Sequence, residues 1–224
     1  MMNKAVDSKL RQQLVNWQLA GRKTVHEADT KALLAAVGIA VPSHDRKRGP
    51  FAVKLSSDRF PHKTEHDLVK LNVATTDLDA TVAKLQAADP AGQILVEEMI
   101  EGGVGEWIVG CKHDQTFGPI VLAGPGGILV ELLDQVQIRL APTQPAVVKA
   151  MLRKGIGAKV LDGLRGKPAA DEAALCTIIV RLSQFFAEHA DLIEEIEVNP
   201  VIARKRGDGA VAADALLVLK QPNQ

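Results

Sequence analysis

Residues 51–63 read FAVKLSSDRFPHK. The run FAVKL alternates as a strand does, so Lys54 falls on the face opposite Val53 and Leu55. An ammonium there is either solvated on an open sheet face or aimed at phosphate oxygens, a task that suits a compact point charge. Further on, His62-Lys63 follows Pro61 in a loop. An imidazole with an ordinary pKa of about 6.5 keeps a neutral nitrogen able to attack phosphorus at neutral pH. The competing reading is an ordinary loop histidine. These few residues set phosphate chemistry against a plain solvated strand and loop, and the flanking sequence decides between them.

At 224 residues the chain can bury a core without staples, and it suits one large α/β domain or two small subdomains. Its 27 basic residues match its 27 acidic ones, which gives no electrostatic case for nucleic acid or an acidic membrane as main partner. Small molecules or another protein are expected instead. Cys111 and Cys176 lie far apart, each among apolar neighbours, as buried thiols in a reducing compartment would. The opening MMNKAVDSKLRQQ is too polar for a secretory signal, and no apolar run nears the roughly 20 residues that span a bilayer. A soluble cytoplasmic protein is the expectation.

Around FAVKL the pattern alternates between helical and extended periods. Residues 5–21 read as a polar amphipathic helix, and Thr24-Val-His-Glu27 has the form of a capping box ahead of a second helix that Gly38 ends. IAVP, FAVKL and VKLNVATT read as strands, and TTDLDATVAKLQAADP as a helix. From 93 to 141 come QILVEEMI, EWIVGCKH, GPIVLAG, GILVELL and QVQIRLAP, separated by glycine pairs and polar turns, an antiparallel sheet signature. TQPAVVKAMLRKG and DEAALCTIIVRLSQFFAEHA come next as helices, the second with Leu175, Ile178, Ile179, Leu182, Phe185 and Phe186 on one stripe. LIEEIEVNPVIA and GAVAADALLVL are the last strands, joined by RKRGDG.

Two further groups of residues carry chemistry. GPGGILVELL joins a glycine cluster to a strand with Glu131, so backbone amides can approach an anion, although the spacing is neither that of a P-loop nor that of a Rossmann turn. A glycine hairpin is the plainer alternative. In EEIEVNP, alternation puts Glu195, Glu197 and Asn199 on one face, with Asp214 of the next strand placed to lie opposite. Oxygen donors of this kind suit Mg²⁺ when substrate phosphates supply the remaining ligands. A solvated acidic face is the alternative, but Asp214 sits in an apolar run, and a buried aspartate needs a partner such as a cation.

In this order the blocks EADTKALLAAVGIAVP, FAVKLSSDRFPHK, LVEEMIEGGVGEWIVGCKHDQTFGP, GPGGILVELLDQVQIRLAP, VLDGLRGKP and VNP with AADALL resemble the ATP-grasp domain of the NDP-forming acyl-CoA synthetases, acetate-CoA ligases (ADP-forming) of β-subunit type related to the succinyl-CoA synthetase β subunit. The resemblance runs from about Glu27 to Leu217. It implies an α+β ATP-grasp fold in which two subdomains with antiparallel sheets clamp a nucleotide. The expected division is an N-terminal helix over 1–22, a lysine-bearing subdomain over 23–95 and a metal-binding subdomain over 96–220. It further implies that Lys54 contacts phosphates, that Glu98, Met99 and Ile100 form the hinge beside adenine, and that Glu106 holds the ribose hydroxyls. Asn199 and Asp214 would hold Mg²⁺, Glu131 and Arg139 would face the phosphate region, and His62 would carry a phosphoryl group.

The implied cofactors are ATP or ADP with Mg²⁺, and the implied reaction is acyl-CoA + ADP + phosphate ⇌ acid + CoA + ATP. No segment is left over for CoA-binding and acyl-handling domains, so the resemblance implies a CoA-binding partner subunit and a component that is inactive without it. Departures from the pattern are the short break SHDRKRG, Asp67-Leu68 in place of a glycine pair, Leu216 in place of an arginine, and a hinge turn, GGVGE, one residue longer. They leave open a nucleotide-sensing or structural subunit that transfers nothing, and an ATP-grasp ligase that makes an acyl phosphate without His62.

Overall fold

The computed structural model describes residues 4–44, 49–57, 66–127, 136–163 and 166–221. In chain order the first elements are α1 (Lys4–Leu19), β1 (Thr24–Val25), α2 (Glu27–Ala36), β2 (Phe51–Ser56), β3 (Val69–Val73), α3 (Leu78–Ala88) and β4 (Gln93–Glu98). The rest are β5 (Gly103–Asp114), β6 (Gly118–Pro125), β7 (Gln137–Leu140), α4 (Pro145–Leu152), α5 (Ile156–Asp162), α6 (Glu172–Glu188), β8 (Ile193–Arg204), β9 (Ala210–Ala212) and β10 (Ala215–Leu219).

Two compact units emerge, residues 26–28 with 42–101 and the remainder of the chain. In the smaller unit the antiparallel order is β3-β2-β4, and Phe51, Val53, Leu55 and Val96 pack with Leu78 and Leu85 of α3. Burying that stripe of large apolar side chains contributes about 1.5–3 kcal/mol for each one fully removed from water. The opposite face of β2 carries Ala52 and Lys54, as alternation requires.

In the larger unit the antiparallel order is β1-β10-β8-β5-β6-β7, with β9 paired to β8. One face of this sheet is covered by α6, whose expected stripe from Leu175 to Phe186 is buried throughout. Trp107, Val109 and Cys111 of β5 meet that cover together with Ile196, Val198 and Val201 of β8. Both cysteines are free and buried, and burial pushes the thiols of Cys111 and Cys176 up. Among the described residues no helix is long and apolar enough to cross a membrane.

Four expectations need correction. The capping box is not made, because Thr24 lies in β1 opposite Val218 and Glu27 is the first residue of α2. IAVP forms no strand: Ile39 N–H turns back to the Leu34 carbonyl, and Ala40 makes a single bond from Ala212 N–H. Helix α5 is an added element, since none is expected between TQPAVVKAMLRKG and DEAALCTIIVRLSQFFAEHA. The subdomain boundaries also move. Residues 29–41 belong to the larger unit because Leu33 and Leu34 join its core, as do Leu10, Leu14 and Trp17 of α1, whereas β4 runs past residue 95 to finish its pairing with β2.

Asp171 ties the end of the final hairpin to α6. Its carboxylate accepts from Ala174 N–H at 3.0 Å, capping the helix, and from Gly207 and Gly209 N–H at 2.9 Å each. Burial alone would raise this carboxyl, but the backbone donors outweigh it and hold it below the usual range. Asp171→Ala is expected to cost about 1–2 kcal/mol in urea unfolding at pH 7. Because folding depresses this carboxyl, its contribution is present above the unfolded value of about 3.9 and is lost as pH falls through the folded one. The gap between wild type and variant should therefore close below a pH of about 4.

Candidate functional site

Lys54 is buried at 5% exposure, which overturns the solvated reading of the FAVKL strand. Its Nζ lies 2.7 Å from Glu27 Oε1 and 3.1 Å from Glu97 Oε2, and both carboxylate side chains are 1% exposed. The three belong to the smaller unit: Glu27 opens α2, while Ala52 faces Glu97 across the β2–β4 ladder, placing Glu97 one diagonal step from Lys54. An ammonium out of water is costly unless oxygen anions meet it, and here two do. Neither carboxylate stands out in the sequence as a site residue. A lysine inside an apolar strand demands an acid on the neighbouring strand, and Glu97 in LVEEM is the available signal.

In the larger unit a second set gathers on the sheet face that α6 leaves open. Buried Ile196 and Val198 alternate along β8 with Glu195, Glu197 and Asn199, so the three polar residues share the other face. The β8–β10 ladder pairs Val198 with Ala215, and one step further Asn199 N–H donates to the Asp214 carbonyl at 3.1 Å. The expected opposition of Asn199 and Asp214 is thus present. Asn199 Nδ2 donates to Glu197 Oε1 at 3.3 Å, which orients the carboxamide oxygen away from that carboxylate. A carboxamide oxygen with the Glu197 carboxylate, and Asp214 opposite on the main chain, offers hard oxygen donors of the kind that Mg²⁺ accepts.

Glu106 lies on the same open face, alternating with buried Trp107. Its carbonyl accepts from Gly126 N–H at 2.6 Å, so the glycine cluster runs directly alongside it. A Cβ on Gly126 would come within 2.9 Å of the Glu106 and Trp107 main chain, which explains the glycine by close backbone approach.

Arg139 is not brought to this face. In β7 it stands opposite Val121, which stands opposite Cys111, and both are core residues; its guanidinium donates to the Ile138 carbonyl. The register thus puts Arg139 on the covered side of the sheet. Glu98 ends β4 exposed and accepts from Ser43 N–H at 3.2 Å, while Met99 N–H donates to the Pro50 carbonyl at 3.1 Å and Ile100 is half-buried. His62, Lys63 and Glu131 lie outside the described residues. Asp67, in place of a glycine, keeps a glycine-like backbone at φ +58°, a conformation that aspartate tolerates better than most residues. The ammonium of Lys70 binds its carboxylate and lowers the Asp67 pKa.

The ATP-grasp domain family matches residues 16–219. The chain belongs to the ATP-grasp family. This ATP-grasp chain is 28% identical over 221 residues to the β subunit of the Pyrococcus furiosus acetate–CoA ligase (ADP-forming) II, with 89% of this chain and 93% of that one covered. A trans-feruloyl-CoA synthase from an unknown prokaryotic organism is 33% identical over 218 residues; the match takes in 88% of this chain and only 31% of that longer protein. Acetyl-coenzyme A synthetase 1 of Candidatus Korarchaeum cryptofilum, solved with coenzyme A and Ca-AMPCP, superposes with a TM-score of 0.83 at 27% identity, covering 94% of this chain and 99% of that one. In a further structure of that enzyme, with coenzyme A and Mg-AMPPCP, a phosphohistidine segment points towards the nucleotide binding site; the TM-score is 0.81, the identity 28%, and the coverage again 94% and 99%. Relatives of this ATP-grasp chain thus include β subunits of ADP-forming acetate–CoA ligases.

Lys54→Met removes the ammonium that Glu27 and Glu97 both contact, and it is expected to cost about 3–5 kcal/mol in urea unfolding. Glu97→Gln, which retains the Glu27 contact, should cost clearly less. Equal losses for the two variants would show that the three groups do not act as a unit.

Proposed function

We propose that this ATP-grasp chain is the nucleotide-binding, phosphoryl-transferring component of an NDP-forming acyl-CoA synthetase. With a CoA-binding partner subunit it would run acyl-CoA + ADP + phosphate ⇌ acid + CoA + ATP, and without that partner it would be inactive in the full reaction. The observation that carries this reading is the opposition of Asn199 and Asp214, with Glu197 and Glu106, on the open face of the larger sheet. Support comes from the near-complete overlap with a separate β subunit of an acetate–CoA ligase.

Asn199 and Asp214 would hold Mg²⁺, which when bound neutralises charge on the β- and γ-phosphates. Glu106 would accept hydrogen bonds from the ribose hydroxyls, and the segment Glu98–Ile100 would line the adenine. Lys54 would reach the phosphates by sharing its ammonium with Glu27 and Glu97. His62 is the group assigned to phosphoryl transfer. Its neutral nitrogen would attack the γ-phosphorus in line, ADP would leave, and the phosphoryl group would pass on to the partner's acyl site.

A second reading, a subunit that binds nucleotide and transfers nothing, is favoured by one observation: two buried carboxylates already engage the Lys54 ammonium. The two readings part in one experiment. The purified chain is titrated with ADP in a calorimeter at several Mg²⁺ concentrations, and then incubated with Mg²⁺ and γ-labelled ATP. Metal-dependent binding that weakens at least tenfold in Asp214→Asn, with an acid-labile label absent from His62→Asn, is the result expected of the transferring component. Binding without label would favour the second reading, and binding indifferent to Mg²⁺ would remove the metal site from both.

A further inference from the structure

Lys31 is a lysine of α2 that is 1% exposed. Its Nζ donates to the Ala213 carbonyl oxygen at 2.7 Å, across 182 residues of sequence. At that burial the side chain does not snorkel, so the ammonium has exchanged water for protein oxygens. Hydrogen bonds from a charged donor are shorter and roughly twice as strong as those between neutral groups.

The acceptor matters because Asp214 is the next residue in the chain. The Ala213 carbonyl belongs to the peptide unit whose nitrogen is that of Asp214, and a peptide unit is planar. Holding its oxygen therefore fixes the plane from which Asp214 departs. The same stretch is tied elsewhere: Ala213 N–H donates to the Pro200 carbonyl at 2.9 Å, Asn199 N–H to the Asp214 carbonyl at 3.1 Å, and Ala212 N–H to the Ala40 carbonyl at 2.9 Å. The first two bonds tie it to β8. Lys31 supplies a restraint from α2, and all of these residues lie in the larger unit.

We propose that Lys31 is a positioning residue for Asp214: its buried ammonium pins the Ala213–Asp214 peptide and so presents the Asp214 carboxylate beside Asn199 for a divalent cation. The proposal rests on the metal role assigned to Asp214 under the proposed function. Groups that orient a metal ligand without touching the ion change metal affinity by about 10–100-fold when removed.

The test is the Mg²⁺ concentration that gives half-maximal ADP binding, read by calorimetry in wild type, Lys31→Met, Lys31→Gln and Leu34→Ala. Methionine keeps the unbranched reach and removes the donor; glutamine keeps a polar group in case methionine prevents folding. Leu34, also on α2 and 0% exposed, provides a destabilised control that leaves the Lys31 donor in place. Both Lys31 variants should raise the Mg²⁺ midpoint about tenfold while ADP affinity at saturating Mg²⁺ stays near wild type. Leu34→Ala should lower the unfolding midpoint and leave the Mg²⁺ midpoint alone. In an Asp214→Asn background, Lys31→Met should add nothing to the Mg²⁺ response.

An unmoved Mg²⁺ midpoint in both Lys31 variants would overturn the proposal. So would an equal shift in Leu34→Ala, which would reduce Lys31 to a stabilising residue, or a full further shift in the Asp214→Asn background. If wild type itself shows no Mg²⁺ response, the metal reading of the site fails and takes the proposal with it; a wild-type response with unmoved variants sinks the proposal alone.

Discussion

An ammonium group removed from water has to be met by oxygen, and this constraint reaches both units of the protein. Lys54 and Lys31 are 5% and 1% exposed. The desolvation of one ion costs several kcal/mol, against a net stability of about 5–15 kcal/mol for a whole domain. Lys54 is met by Glu27 and Glu97, and Lys31 by the carbonyl of Ala213. Helix α2 takes part in both solutions, contributing Glu27 to the smaller unit and Lys31 to the larger. A helix with these obligations cannot be shifted by one residue without stranding a charge, so the start of α2 is set by electrostatics more than by capping.

The same obligations explain why a local pattern misplaces the entry to this helix. Thr24-x-x-Glu27 satisfies the form of a capping box, but Thr24 is taken up by pairing with Val218 and Glu27 by Lys54. Both partners are distant in sequence, and a four-residue pattern carries no information about them. The same limit explains IAVP, which has strand composition but turns back to Leu34 through Ile39 N–H and accepts an isolated main-chain bond from Ala212. It also explains Arg139, whose side of the sheet depends on its register with Val121. Where a reading needs only a period, the structure agrees with it: the α6 stripe is buried, and Glu195, Glu197 and Asn199 share a face because β8 alternates from Glu195 to Asn199. Lys54 shows both sides of this. Alternation places it correctly opposite Val53 and Leu55, while its burial depends on two acids that only the fold brings near.

The family resemblance carries the parts that periodicity cannot, and the structure refines it at the departures. Replacing a glycine by Asp67 removes the residue type that reaches positive φ most cheaply, yet the backbone keeps φ +58°. Aspartate is one of the few side chains that visit this region, so Asp67 can hold the turn. Leu68, the other replaced position, is 4% exposed and joins the core of the smaller unit. The change trades permissive backbone for apolar burial in the segment after His62.

Strand β8 brings these constraints together, because its two faces meet different demands. Its covered face places Ile196 and Val198 against α6 and thereby fixes the register. Its open face then has no freedom to choose where Glu197 and Asn199 stand, since a slip of one residue would exchange the two faces and bury both polar groups. Asp214 inherits the same precision through the main-chain bond from Asn199. Side chains carried on a paired strand are held more closely than side chains on a loop. The polar pair is therefore positioned by apolar residues that never touch it: the packing that makes the sheet stable is also what brings a carboxamide and a carboxylate to one place.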